Sequence, residues 1–136
     1  MKKIHQATAI LTMFLSAGAA SAACTQANVV GDWTSYETYG GGGETGSEIT
    51  CQLKIDAKGA IETPSSCKEY GTNLGSAKGS VILTNANRCA YKVTITQTVR
   101  REDFSLSDAT LALNAFLHGA GVHSGLTFTF DMIKIK

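Results

Sequence analysis

The sequence predicts an all-β domain, a small antiparallel barrel or sandwich of about six to eight strands, stapled by disulfides. Three observations carry this expectation. Apolar and polar residues alternate with period two over several short runs, as in strands with one buried face. Four cysteines, Cys24, Cys51, Cys67 and Cys89, follow a leader of the secretory type. Turn signals recur at the intervals of sandwiches and barrels, and no convincing helix follows the leader. The 136 residues suit one domain, and no repeat or linker divides them. A meander closed into a barrel is the preferred form, because closure removes exposed strand edges.

Residues 1–22 read as a signal peptide, leaving 23–136 as a single β-rich domain. Lys2 and Lys3 give the positive start, Ala9 to Leu15 the apolar middle, and Ala20-Ser21-Ala22 the small-residue cleavage site. The apolar stretch is too short and too interrupted to span a bilayer, which needs roughly 20 residues. No second such run follows, so no transmembrane segment is expected in the mature chain. Losing Lys2 and Lys3, with no acid, takes the formal charge from +1 to −1. That balance excludes the cationic signature of a nucleic-acid binder.

Val29 to Trp33 opens a strand running toward Tyr39, with Gly40 to Gly43 as its loop. Ile49, Cys51, Leu53 and Ile55 share one face of the next strand, and Thr50, Gln52, Lys54 and Asp56 share the other. Ala57-Lys58-Gly59 turns the chain, and Ala60 to Thr63 returns as a short strand ending at Pro64. Ser80 to Thr84 leads through the turn Asn85 to Arg88 into the clearest alternation. There Cys89, Tyr91, Val93, Ile95 and Val99 face inward, with Gln97 as the one polar entry on that side. Arg100 to Asp103 is a charged turn. From Phe104 to Leu117 a strand with a change of parity near Asp108 implies a bulge; a helix with Ser107 as N-cap and Gly119 past its end is the alternative. Gly119 to Gly125 reads as a flexible turn, and Leu126, Phe128, Phe130 and Met132 alternate in a closing strand.

An even cysteine count behind an export signal implies disulfides in an oxidising compartment, periplasmic or secreted. Of three pairings, Cys51–Cys67 with Cys24–Cys89 is favoured, because Cys51 and Cys67 flank an expected hairpin. Zinc is not expected: no C-x-x-C occurs and no His lies close to a Cys. Cys24 also stands where a lipoprotein would carry its acylated cysteine, although Ser21-Ala22-Ala23 lacks the usual Leu. Lipid anchoring there is the lesser alternative.

Gly31-Asp32-Trp33 fits the G-x-W pattern that opens the first strand of calycin-type barrels, which include lipocalins, avidins and small periplasmic inhibitors of bacterial metalloproteases. Cys51-Gln52-Leu53-Lys54-Ile55, with Cys67 following, is similar to the disulfide region of those inhibitors. The likeness covers residues 31 to 67. It implies a barrel and, as one function, protease inhibition by the flexible segment Cys24 to Val30 entering a cleft. The inhibitors typically carry one disulfide, whereas this chain has four cysteines. Read physically, Trp33 plugs one end of the core, with contact to a ligand as its alternative role.

No catalytic constellation is expected. Oxidised cysteines are not nucleophiles, and G-x-S-x-G, H-E-x-x-H, phosphate-loop and dinucleotide patterns are missing. His118 and His123 could converge on a metal only as two ligands without a carboxylate. Ser65-x-x-Lys68 is a chance spacing. Asp32, Glu44 and Glu48 lack calcium-loop spacing, and Gly40 to Gly43 suits a hairpin tip better than an anion cradle. No cofactor or metal is expected. The expected function is an exported, monomeric, non-catalytic binding protein for a small ligand or protein partner. A protease inhibitor is one alternative. An envelope or surface subunit adding a strand along Leu126 to Ile135 is another.

Overall fold

Period-two alternation builds the walls of the protein. The computed structural model describes residues 23–40, 48–98, 107–123 and 126–136. Within them run β1 (Gly31–Gly40), β2 (Glu48–Ile55), β3 (Ala60–Glu69), β4 (Thr72–Asn85), β5 (Ala90–Gln97), β6 (Ser107–Ala112), β7 (Phe116–His123) and β8 (Leu126–Lys134). Each pairs antiparallel with the next, and β8 returns to β1 from Trp33↔Lys134 to Gly40↔Thr127, closing an eight-stranded barrel. Inward positions are apolar: Ile49, Leu53 and Ile55 on β2, Tyr91, Val93 and Ile95 on β5, and Phe128, Phe130 and Met132 on β8 are buried. Gln52, Lys54 and Lys92 on the outer face are exposed. The two disulfides are Cys51–Cys67, between directly paired residues of β2 and β3, and Cys24–Cys89.

Closure has a direct consequence. The Leu126 to Ile135 segment was an expected free edge, but β8 is hydrogen-bonded to β7 on one side and β1 on the other. It therefore presents no unpaired ladder for strand addition.

Four sequence expectations are corrected. The strand expected to stop at Pro64 continues to Glu69, because a register shift between Ile61 and Ser66 accommodates a residue that cannot donate to the ladder. In the run expected from Phe104 to Leu117, the described part from Ser107 onward is neither one bulged strand nor a helix. A turn between β6 and β7, with Leu113 and Asn114 at φ 53° and 55°, splits it into a hairpin. The expected turn at Gly119 to Gly125 is mostly strand: Gly119 pairs with Phe130 and Gly121 with Phe128, small residues beside two large inward rings. Finally, Gln26–Val29 forms one 3-10 turn, so β1 starts at Gly31 and not at Val29. The expected turn at Arg100 to Asp103 lies outside the described residues.

Gly79 shows why one wall tolerates no side chain. Its φ is +141°, and a Cβ there would come within 1.9 Å of the Thr94 carbonyl oxygen on β5.

Candidate functional site

The two ends of the barrel differ in how their polar groups are satisfied. At one end the segment from Cys24 to Val29 lies across the strands as a plug. Val29, at the end of the plug, and Trp33 beneath it are fully buried, and the Trp33 Nε1–H donates to the Val29 carbonyl at 2.8 Å. The Tyr91 hydroxyl donates to the Thr25 carbonyl at 2.8 Å. Gln26 pairs with β4 through its whole amide, Nε2 donating to Val81 O and Oε1 accepting from Leu83 N. Asn28 reaches Asn114 in the β6–β7 turn, and Lys134 Nζ donates to the Asn28 carbonyl while lying 5.7 Å from the Trp33 ring centroid. The Cys24–Cys89 bridge fastens the plug to the β4–β5 turn.

This arrangement differs from the flexible arm expected of an inhibitor, because Cys24 to Val29 is tied to the barrel at several points. It also commits the Cys24 sulfur to Cys89.

Toward the opposite end three buried polar side chains carry unpaired atoms. Along β1 the parity that turns Trp33 inward also turns Ser35 and Glu37 inward, and they are 0% and 3% exposed. Gln97, at the end of β5, is 5% exposed. Among the described residues, no hydrogen-bond partner meets Ser35 Oγ, Glu37 Oε2 or either amide atom of Gln97. The contrast with other buried polar groups is clear: Ser65 bonds Lys54 N and Glu62 O, and Thr34 bonds Gln52. A buried polar group left unpaired costs about 1–3 kcal/mol.

The register brings these groups to one level. β1 and β5 are four strands apart in an eight-stranded barrel and so form opposite walls. Through β8, β7 and β6 the ladder leads from Glu37 to Phe130, Gly119, Ala109 and Tyr91, short of Gln97. The other way it leads through Ile49 and Glu69 to Thr72, beyond the point where Ala77 pairs with Gln97. Gln97 therefore lies at about the depth of Glu37, with Ser35 one inward step toward the plug. Ile49 and Phe130 flank Glu37 on the neighbouring strands.

Burial without a countercharge pushes the Glu37 carboxyl up from 4.5 to about 7. Its proton is bound more tightly folded than unfolded, so its contribution to stability is fully present below about 4.5 and lost as pH rises through about 7. The size of that loss is roughly 3 kcal/mol. Urea unfolding at acid and at mildly alkaline pH should therefore show wild type losing that amount more than Glu37→Gln. Parallel pH profiles for the two proteins would show that Glu37 is not buried as described.

The other residues singled out in the sequence do not assemble a site. His118 Nδ1 lies 2.6 Å from Asp131 Oδ1 on the exposed outer face, while the His123 side chain and Glu44 lie outside the described residues. Ser65 is buried and hydrogen-bonded, whereas Lys68 is exposed. Asp32 pairs with Lys54 near the plugged end and Glu48 with Thr38 near the other, so the two do not converge. A surface groove of about 370 Å³, lined by Asp32, Lys54, Pro64 and Lys136 among others, lies outside the barrel by the plug; its polar side chains face solvent. Among the described residues no group of three or more His, Cys, Asp or Glu could hold a metal.

Of the candidate groups, sequence reading singled out Gln97 and passed over Ser35 and Glu37. Alternation from Trp33 was the signal available for both. No protein-family model, curated protein or solved structure matches this chain.

Proposed function

We propose that this protein is an exported, non-catalytic binding protein whose barrel is sealed at the Trp33 end and takes a small ligand against Ser35, Glu37 and Gln97. One observation carries the reading: polar groups beneath the plug are satisfied, while these three buried side chains toward the other end are not. Natural cores rarely keep such groups unpaired, and a ligand supplying the missing partners would relieve the cost. The wall around them, with Ile49, Ile95, Phe128 and Phe130, offers apolar surface and a few convergent polar atoms, the usual make-up of a small-molecule site. Two disulfides and no free cysteine suit an oxidising compartment outside the cytoplasm. A calycin-type relationship accords with the closed barrel, but the tethered Cys24–Val29 plug gives protease inhibition by that segment no support.

Native mass spectrometry on protein purified from its own host without reductant tests this reading. The expected result is a chain beginning at Ala23, with two disulfides, carrying a small molecule that dissociates on unfolding. A bare chain that also shows no amide shifts at residues 35–37 and 95–97 with any small-molecule probe would overturn it.

A further inference from the structure

We infer that the ligand carries a positively charged nitrogen: Glu37, with Gln97 facing it across the barrel and Ser35 one step deeper, forms the polar half of a site for a primary amine on an apolar body. The inference rests on the binding reading above and adds the chemical class of the ligand.

The sign of the site decides the class. Glu37 is the one carboxylate among the buried residues described; Tyr91, a buried phenol, is held to the Thr25 carbonyl at the plugged end, and Thr34, Ser35, Ser65 and Gln97 are the other buried polar side chains. Among the described residues no lysine, arginine or histidine is buried beside it. An anionic head group would bring a second negative charge into a low-dielectric interior where no basic side chain among the described residues offsets either one. A purely apolar ligand would leave all four unpaired atoms, Ser35 Oγ, Glu37 Oε2, Gln97 Oε1 and Gln97 Nε2, still without partners. A primary ammonium has three donors and no acceptor. It can donate to the Glu37 carboxylate, to Gln97 Oε1 and to Ser35 Oγ, and charge-assisted bonds of this kind are the strong ones.

The surroundings suit the rest of such a molecule. Ile49 and Phe130 are the register neighbours of Glu37, and Phe128 lies next along β8 with its ring centroid 6.3 Å from that of Phe130. Aromatic faces near an ammonium add attraction, and the aliphatic wall accepts a hydrocarbon tail.

Binding an ammonium requires Glu37 ionised. Among the described residues its register partners are Ile49 on β2 and Phe130 on β8, with Cys51 and Met132 beside Ser35, and Gln97 on the opposite wall, none of which titrates. Glu48 and Asp131 on the flanking strands lie on the outer face. Because the free carboxyl ionises at about 7, affinity for an amine should fall by about tenfold per pH unit below that point.

The test compares three probes of equal chain length on the mature protein: octylamine, octanol and octanoate, followed by amide shifts and calorimetry at mildly alkaline pH. Octylamine should bind at least about tenfold more tightly than octanol, with octanoate weakest, and shifts should centre on residues 35–37 and 95–97. Glu37→Gln should erase the preference for amine over alcohol, octylamine then binding no more tightly than octanol. Ser35→Ala, which keeps the carboxylate, should weaken octylamine a few-fold while the preference for amine over alcohol persists. Equal binding of the three probes at this site, a preference for octanoate, or an amine preference that survives in a folded Glu37→Gln protein overturns the amine assignment and leaves the binding reading standing. No binding by any probe, with no shifts at these residues, overturns both.

Discussion

Replacing Trp33 by alanine should lower the stability of the barrel by about 4 kcal/mol, within the range for truncating a buried Trp. The side chain is fully buried under the Cys24–Val29 plug, its Nε1–H holds the Val29 carbonyl, and Lys134 lies over its ring. Truncation removes the packing, orphans that carbonyl and leaves a void that the plug, pinned by Gln26 and Tyr91, cannot fill by settling. Trp33→Phe separates the terms: it keeps most of the buried area and loses the hydrogen bond, so about 1–2 kcal/mol is expected. Trp33 is the sole tryptophan, so unfolding must be followed by far-ultraviolet circular dichroism and not by fluorescence. Probe binding toward the opposite end should survive wherever the variant is folded. If instead stability held and binding vanished, Trp33 would be a ligand contact and not a plug.

How legible the fold was depended on how regularly each strand alternates. On β2, β5 and β8 the apolar positions fall at every second residue, from Ile49 to Ile55, Tyr91 to Ile95 and Phe128 to Met132, and these strands could be read directly. Of β4 only Ser80 to Thr84 could be read, and its first part hid because its buried residues, Leu74, Ala77 and Val81, are spaced by three and four. Gly75 and Gly79, both at positive φ, lie among them and disturb the period. β7 hid for a different reason. Its glycines look like a turn in isolation, and only pairing with Phe128 and Phe130 shows them as small residues beside large inward rings. Pro64 gave a false stop because register shifts within β3 are a tertiary matter. For the candidate site, parity was enough to turn Ser35 and Glu37 inward with Trp33. That four strands carry Gln97 round to the level of Glu37 depends on barrel closure and stagger, which no local pattern encodes.

Removing the Cys24–Cys89 bridge as Cys24→Ala/Cys89→Ala should cost about 4 kcal/mol in the chain-entropy model, from a sequence separation of 65. The Cys51–Cys67 bridge spans 16 residues, for which the same reasoning gives about 3 kcal/mol. The bridges also differ in access. Cys51 and Cys67 are 0% exposed within the β2–β3 wall, whereas Cys89 is only partly buried and Cys24 is 9% exposed. Thiol exchange requires an attacking thiolate to reach a sulfur, so a mild reductant should first open Cys24–Cys89. Alkylation followed by peptide mass mapping should then find label at Cys24 and Cys89 before any at Cys51 or Cys67. The singly reduced protein should stay folded, because Cys24 N still donates to Ala86 O, Gln26 still bonds β4 and Tyr91 still holds Thr25. Those bonds retain the plug in the native state; what the bridge adds is a constraint on the unfolded chain. Its loss should therefore lower the unfolding midpoint while leaving the amide shifts of residues 35–37 and 95–97 in place. Simultaneous labelling of all four cysteines would mean that the plug and the β2–β3 wall open together, and the barrel's two ends could not then be treated as separate elements of stability.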